Sequence, residues 1–165
     1  MFDKVYVFRG KHATMVETLT NKLSDQIGMG FFKTNYDVYR VAPIIGYIYR
    51  RTAEPDKADN TTKIFYDKLA NEKDDLIFNY RTLMMLLNND MTEDEKLDVA
   101  FRLDEKNEER KVYDDLYDSY VLGGVEEMYE QIIGDGKSVD EYIMNLFDFL
   151  EDLNMRLYGG GITKA

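Results

Sequence analysis

Side chains able to do chemistry are few in kind in this chain. His12 is the single histidine and stands in the basic run RGKH. An imidazole can act as a general base, but a metal held there would need carboxylates for all its other ligands. No nucleophile with an orienting partner lies beside it, so an exposed or capping His12 is expected. There is no cysteine, which removes disulfides, thiolate metal sites and thiol nucleophiles together. Ser24, Ser119 and Ser138 sit in no serine-hydrolase context, and Ser138 has the spacing of a helix cap.

Carboxylates are abundant and fall into two groups. Asp114, Asp115 and Asp118 flank Tyr117, and Glu126, Glu127 and Glu130 flank Tyr129. Helical spacing puts each group on one or two turns. A di-metal site in a bundle would couple such glutamates to a Glu-x-x-His pair, which the sequence lacks. The loop at Asp135 lacks the oxygen-ligand spacing of a calcium loop. The six acids are therefore expected as solvated faces and as a candidate surface for a protein partner. The glycine pieces GMG, GG, GDG and GGG match neither a phosphate-cradling loop nor a dinucleotide fingerprint, and no cofactor is expected.

The cations that could meet phosphate are Lys33, Arg40, Arg50, Arg51, Lys57 and Lys63, interleaved with Asp37, Glu54, Asp56 and Asp59. They are the candidate nucleic-acid contact. Charge distribution weakens that reading. Residues 1–89 carry 13 Lys and Arg against 11 Asp and Glu, whereas residues 90–165 carry 8 against 21. A field of that sign in the second half repels a polyanion at long range.

These residues need elements to position them, and the periodicity is helical throughout. The apolar, aromatic and basic stretch from Phe31 to Arg51 reads as the central helix, capped by Thr34 or Asn35 with Asp37 in its first turn. Pro43 is expected to kink it or to start a second segment. Val16, Leu19, Leu23 and Ile27 mark an amphipathic helix over 13–27, and Gly28 suits its C-terminal end. Residues 2–9 read as an extended arm or the beginning of a helix, 52–62 as a mobile loop, and 61–88 as one bent helix or two. Thr92 with Glu95 and Ser138 with Glu141 have capping-box spacing. Gly123 and Gly124 are expected to separate two helices. Val139, Tyr142, Ile143, Leu146, Phe147, Leu150, Leu153 and Leu157 give the final helix its buried stripe, set against the central one.

The fold expected is all-α, a compact irregular bundle of about six or seven helices in one domain over 1–158, with a flexible tail over 159–165. With 13 Tyr, 9 Phe and no Trp, its core should be aromatic. No run reaches membrane-spanning length and the amino terminus is no secretory signal, so no membrane contact and a cytoplasmic location are expected.

The run TNYDVYRVAPIIGY, with LGGVEEMYE downstream, resembles small helical bacterial proteins, some associated with DNA modification or defence. The helix around Arg40 is similar to the basic helix of the DndE family of DNA phosphorothioation proteins, over the first third of the chain. The acidic second half departs from that family, and no functional residue carries over. The leading expectation is a non-catalytic interaction or regulatory protein with a protein partner or a second copy. A nucleic-acid-binding module using Arg40 to Lys63 is the alternative. An enzyme setting Tyr or Arg of the central helix against later carboxylates comes third.

Overall fold

The computed structural model describes residues 2–24, 28–87, 91–103 and 108–159. Seven helices and a two-stranded ribbon follow in the order β1 (Tyr6–Arg9), α1 (Gly10–Thr20), α2 (Asn35–Ile48), β2 (Thr61–Ile64), α3 (Tyr66–Asn71), α4 (Lys73–Leu86), α5 (Glu93–Leu97), α6 (Glu108–Ile132) and α7 (Val139–Asn154). A π-helical turn, Asp98–Arg102, continues α5, and another, Met155–Gly159, continues α7. Among the described residues no helix is long and apolar enough to cross a membrane.

The helix starts follow local chemistry. Thr34 and Asp37 form a reciprocal capping box on α2, and Thr92 and Glu95 form one on α5. Ser138 accepts from the Glu141 amide at 3.2 Å, whereas the Glu141 carboxylate takes the Lys137 amide. Pro43 stays inside an unbroken α2. On that turn the Arg40 carbonyl accepts the Asn79 side-chain amide at 2.8 Å.

The helix at the centre of the packing is α6, and α2 lies against it along most of its length. Residues 121–128 of α6 are buried without a break. The expected helix break at Gly123 and Gly124 is absent; both lie within α6 at its closest approach to α2. A Cβ on Gly124 would overlap the Ala42 carbonyl oxygen and sit 2.6 Å from its carbon. One on Gly123 would overlap the Arg51 carbonyl, and one on Gly46 the Tyr120 carbonyl. Three glycines thus let two backbones touch, a constraint read across space and invisible to spacing along one chain. The core around them is aromatic: Tyr39, Tyr80, Tyr117, Phe2 and Phe8 are fully buried, and Tyr80 and Phe2 meet Tyr117 at 5.5 and 6.0 Å between ring centres.

The amino-terminal arm is a strand with a partner. β1 pairs antiparallel with β2, Tyr6 opposite Ile64 and Arg9 opposite Thr61, so residues 61–64 are extended where a helix was expected. Thr61, Thr62 and Ile64 are β-branched and suit the pleat. The 52–62 loop, expected to be mobile, is fastened: Asn60 and Gly10 exchange bonds of 2.9 Å, the Lys11 amide donates to Asp56, and the Ala53 amide to the Ser119 carbonyl. The first amphipathic helix is shorter than its pattern, ending at Thr20. Residues 104–107 of the charged run, Ile27, Asn88, Asn89 and the tail from 160 lie outside the described residues.

Candidate functional site

The end of α2 aims Arg51. The Arg51 amide donates to the Gly46 carbonyl at 2.8 Å and the Arg50 amide to that of Tyr47 at 3.1 Å, a Schellman termination. The position that glycine usually fills holds Arg50, at φ 54°. The reversal brings the Arg51 guanidinium onto α6. It donates twice to Glu130, at 2.6 Å each, and once each to Glu126 and Glu127 at 3.0 Å. Glu126 also receives the Lys11 ammonium at 2.6 Å and the His12 Nε2–H at 3.0 Å, and Glu127 receives the Gln131 amide.

Burial pushes the Glu126 carboxyl up, but its bonds from Lys11, Arg51 and His12 outweigh that and hold it below the usual carboxylate range. The Arg51 bonds hold Glu130 down in the same way. His12 is fully buried, the opposite of its expected exposure, and burial lowers its pKa. It is a neutral ring whose Nε2 is committed to Glu126. Three carboxylates against one guanidinium and one ammonium make a clasp joining α1, α2 and α6. Among the described residues no group of three or more His, Asp or Glu is placed to hold a metal ion.

The two candidate sets are thereby mixed, because Arg51 of the basic set is taken up by Glu126, Glu127 and Glu130 of the acidic set. Arg40 lies 3.6 Å from Asp75 and over the Tyr36 ring. Arg50, Lys33, Lys57 and Lys63 are exposed, Lys63 at a shallow groove with Tyr36 and Phe65. Asp114 bonds Arg110 at 3.0 Å and Asp115 is exposed. Asp118 is half-buried, with Oδ1 enclosed and unpartnered; burial, then Asp114 and Asp115, push its carboxyl up to about 7.

Two clefts are larger. A polar one of about 920 Å³ lies between the end of α2 and the extension of α7, with Tyr47, Tyr49, Tyr120, Arg50 and Arg156 in its wall. Arg156 covers the Tyr49 ring and bonds Asp152, which also accepts the Tyr49 hydroxyl. An apolar groove of about 710 Å³ runs along α4 beside the π-turn, with Phe78, Leu86 and Phe101 exposed and Arg81 over Phe101.

The feature that sequence reasoning turned the wrong way round is α7. Its expected buried stripe is split. Phe149 is buried, stacked on Tyr49 at 5.7 Å, and Tyr142, Leu146 and Leu153 are half-buried. Ile143, Met144, Phe147, Leu150, Met155, Leu157 and Tyr158 face solvent, Phe147 at 65% and Met144 at 67% exposure. The helix is held to the body by the end of α6, where Asn145 donates to the Ile132 carbonyl, and by Tyr49 at the end of α2. It does not lie along α2 as expected. The signal available in the sequence was an apolar arc too wide for one contact, since residues 142–157 are apolar on two faces.

Compared with known protein families, with curated proteins and with solved structures, the chain matches none.

Proposed function

We propose that this chain is a non-catalytic interaction or regulatory module that binds a protein partner through the outer face of α7. One observation carries the reading: α7 and the π-helical turn that continues it expose seven large apolar side chains, four on α7 and three on the turn, while the other face of α7 is already docked. Together they present on the order of 700 Å². Monomeric proteins seldom leave a contiguous patch above a few hundred Å², and about 800 Å² per partner makes a standard interface. The inward commitment of Arg51, Glu126 and Glu127 supports the same choice, because the polar groups that chemistry would need are spent on the fold.

Nucleic-acid binding ranks second. It rests on Lys33, Arg50, Lys57 and Lys63, since Arg51 is occupied and Arg40 is shared with Asp75.

A chain without cysteine allows a clean test. Phe147→Cys and, as control, Asp59→Cys each create a single thiol that a photo-crosslinker can occupy. In cells that naturally express the chain, the first should give a discrete adduct and the second none. Identical patterns from both positions, or none from either, would refute docking on α7.

A further inference from the structure

Resting on the reading of α7 as a docking face, we infer that its partner is a basic amphipathic helix: one with an apolar stripe bordered by Lys and Arg. Three features lead there. First, the exposed stripe runs from Ile143 to Leu157, about 21 Å at helical rise, which matches roughly four turns of a second helix laid alongside. Second, its border has one sign. Between Ser138 and Met155 there is no Lys or Arg, whereas Asp140, Glu141, Asp148, Glu151 and Asp152 are all present. At 100° per residue, Asp140 and Glu151 fall inside the stripe and Asp148 along its edge, and all three are exposed. The bond from Arg156 goes to Asp152 on the body side, so it leaves the border uncompensated.

Third, that border argues against a second copy. Two α7 helices packed antiparallel across a two-fold axis would set their acidic borders side by side, and a parallel pair would enclose Asp140 and Glu151 in the contact with no cation of either stripe to meet them; like or unpaired charges in a desolvated contact are strongly unfavourable. A partner carrying Lys and Arg at the flanks gains the apolar contact and neutralises the same acids. Its anchors at i, i+3, i+4 and i+7 would pack on Phe147, Leu150 and Ile143, the helix-on-helix form of recognition.

Two synthetic peptides of roughly 18 residues test this with the whole protein. They share one leucine stripe, and one carries Lys and Arg at its flanks where the other carries Glu. The basic peptide should bind at least tenfold more tightly by fluorescence anisotropy and weaken as salt rises. Phe147→Ser with Leu150→Ser should abolish binding. Asp140→Lys with Asp148→Lys and Glu151→Lys should transfer the preference to the acidic peptide. Reversal of Asp59, Asp67 and Asp94, exposed acids outside α7, should leave it unchanged.

Equal binding of both peptides, lost with Phe147→Ser, would overturn the basic partner and leave α7 as a docking face. Binding of the basic peptide that ignores Phe147→Ser would overturn the proposal as mere charge attraction. If neither peptide binds, sedimentation decides the cause: a dimer abolished by Phe147→Ser makes the occupant a second copy, and a monomer refutes the docking face itself.

Discussion

Substituting Gly124 by alanine tests the α2–α6 contact on which the bundle rests. Glycine in a helix interior costs about 0.8–1.0 kcal/mol relative to alanine, so local propensity alone makes Gly124→Ala stabilising by that amount. The structure reverses the sign. The new methyl would overlap the Ala42 carbonyl oxygen and lie 2.6 Å from its carbon, where ordinary contact begins near 3.4 Å. Both neighbours are helical backbone, so no side chain can swing aside. The helices must separate by about 1 Å, and a gap of that size forfeits a quarter to a half of each dispersion contact across the seam. The seam includes Val38, Ile45, Val121 and Val125, all buried. Overpacking costs about 1–3 kcal/mol, occasionally more, and the extent of this seam places the net loss near 3 kcal/mol. For a chain of this size that is roughly 6–12 °C in melting temperature. Urea and thermal unfolding followed by circular dichroism would measure it, with exposed Lys111→Ala on the same helix as control. A Gly124→Ala melting temperature equal to or above that of the parent would refute the close approach.

Three further outcomes follow from the polar groups. Arg51→Met strands Glu127 and Glu130 without their cation, leaves Glu126 with Lys11, and should cost about 3 kcal/mol at pH 7; because Glu126 and Glu130 are held below their unfolded value of 4.5, the clasp contributes above that pH, and the deficit should shrink as pH falls below it. Asp118→Asn should act oppositely: with the folded pKa raised from 3.8 to about 7, stability is complete below pH 3.8 and lost as pH rises through 7, so the variant should gain about 2 kcal/mol at pH 8, after allowance for partial exposure, and nothing at pH 3. Arg50→Gly relieves a positive φ at the end of α2 and should raise stability by up to about 1 kcal/mol in urea titration.

What was legible in the sequence was what the chain decides locally. Thr34, Thr92 and Ser138 cap helices because their partners stand three residues away; Gly28 takes the positive φ expected of it, 69°, but α1 ends at Thr20 with Asn21 as its cap, so Gly28 does not end that helix as expected. The helical class and the aromatic core came through for the same reason. Gly123 and Gly124 were misread because their meaning is set by Ala42 and Arg51 across a helix interface. His12 and the acids of α6 were misread because burial depends on which helix is central, and amphipathic pattern pointed to α2. β2 hid in a polar run whose strand character exists only beside β1. In α7 the pattern was right and the inference from it was not: an apolar stripe says that a face is to be covered, not by which molecule.

The ribbon of β1 and β2 also orders events in time. Pairing Arg9 with Thr61 closes a loop of some fifty residues that contains α1 and α2, at an entropic cost of roughly 3.5 kcal/mol, while two four-residue strands offer little in return. The ribbon therefore closes after the helices have packed and shortened that loop. Substitutions that weaken it, such as Val7→Ala or Thr62→Gly, should accelerate unfolding and leave the refolding rate nearly untouched. The strand that precedes α1 along the chain is among the last pieces to find its place.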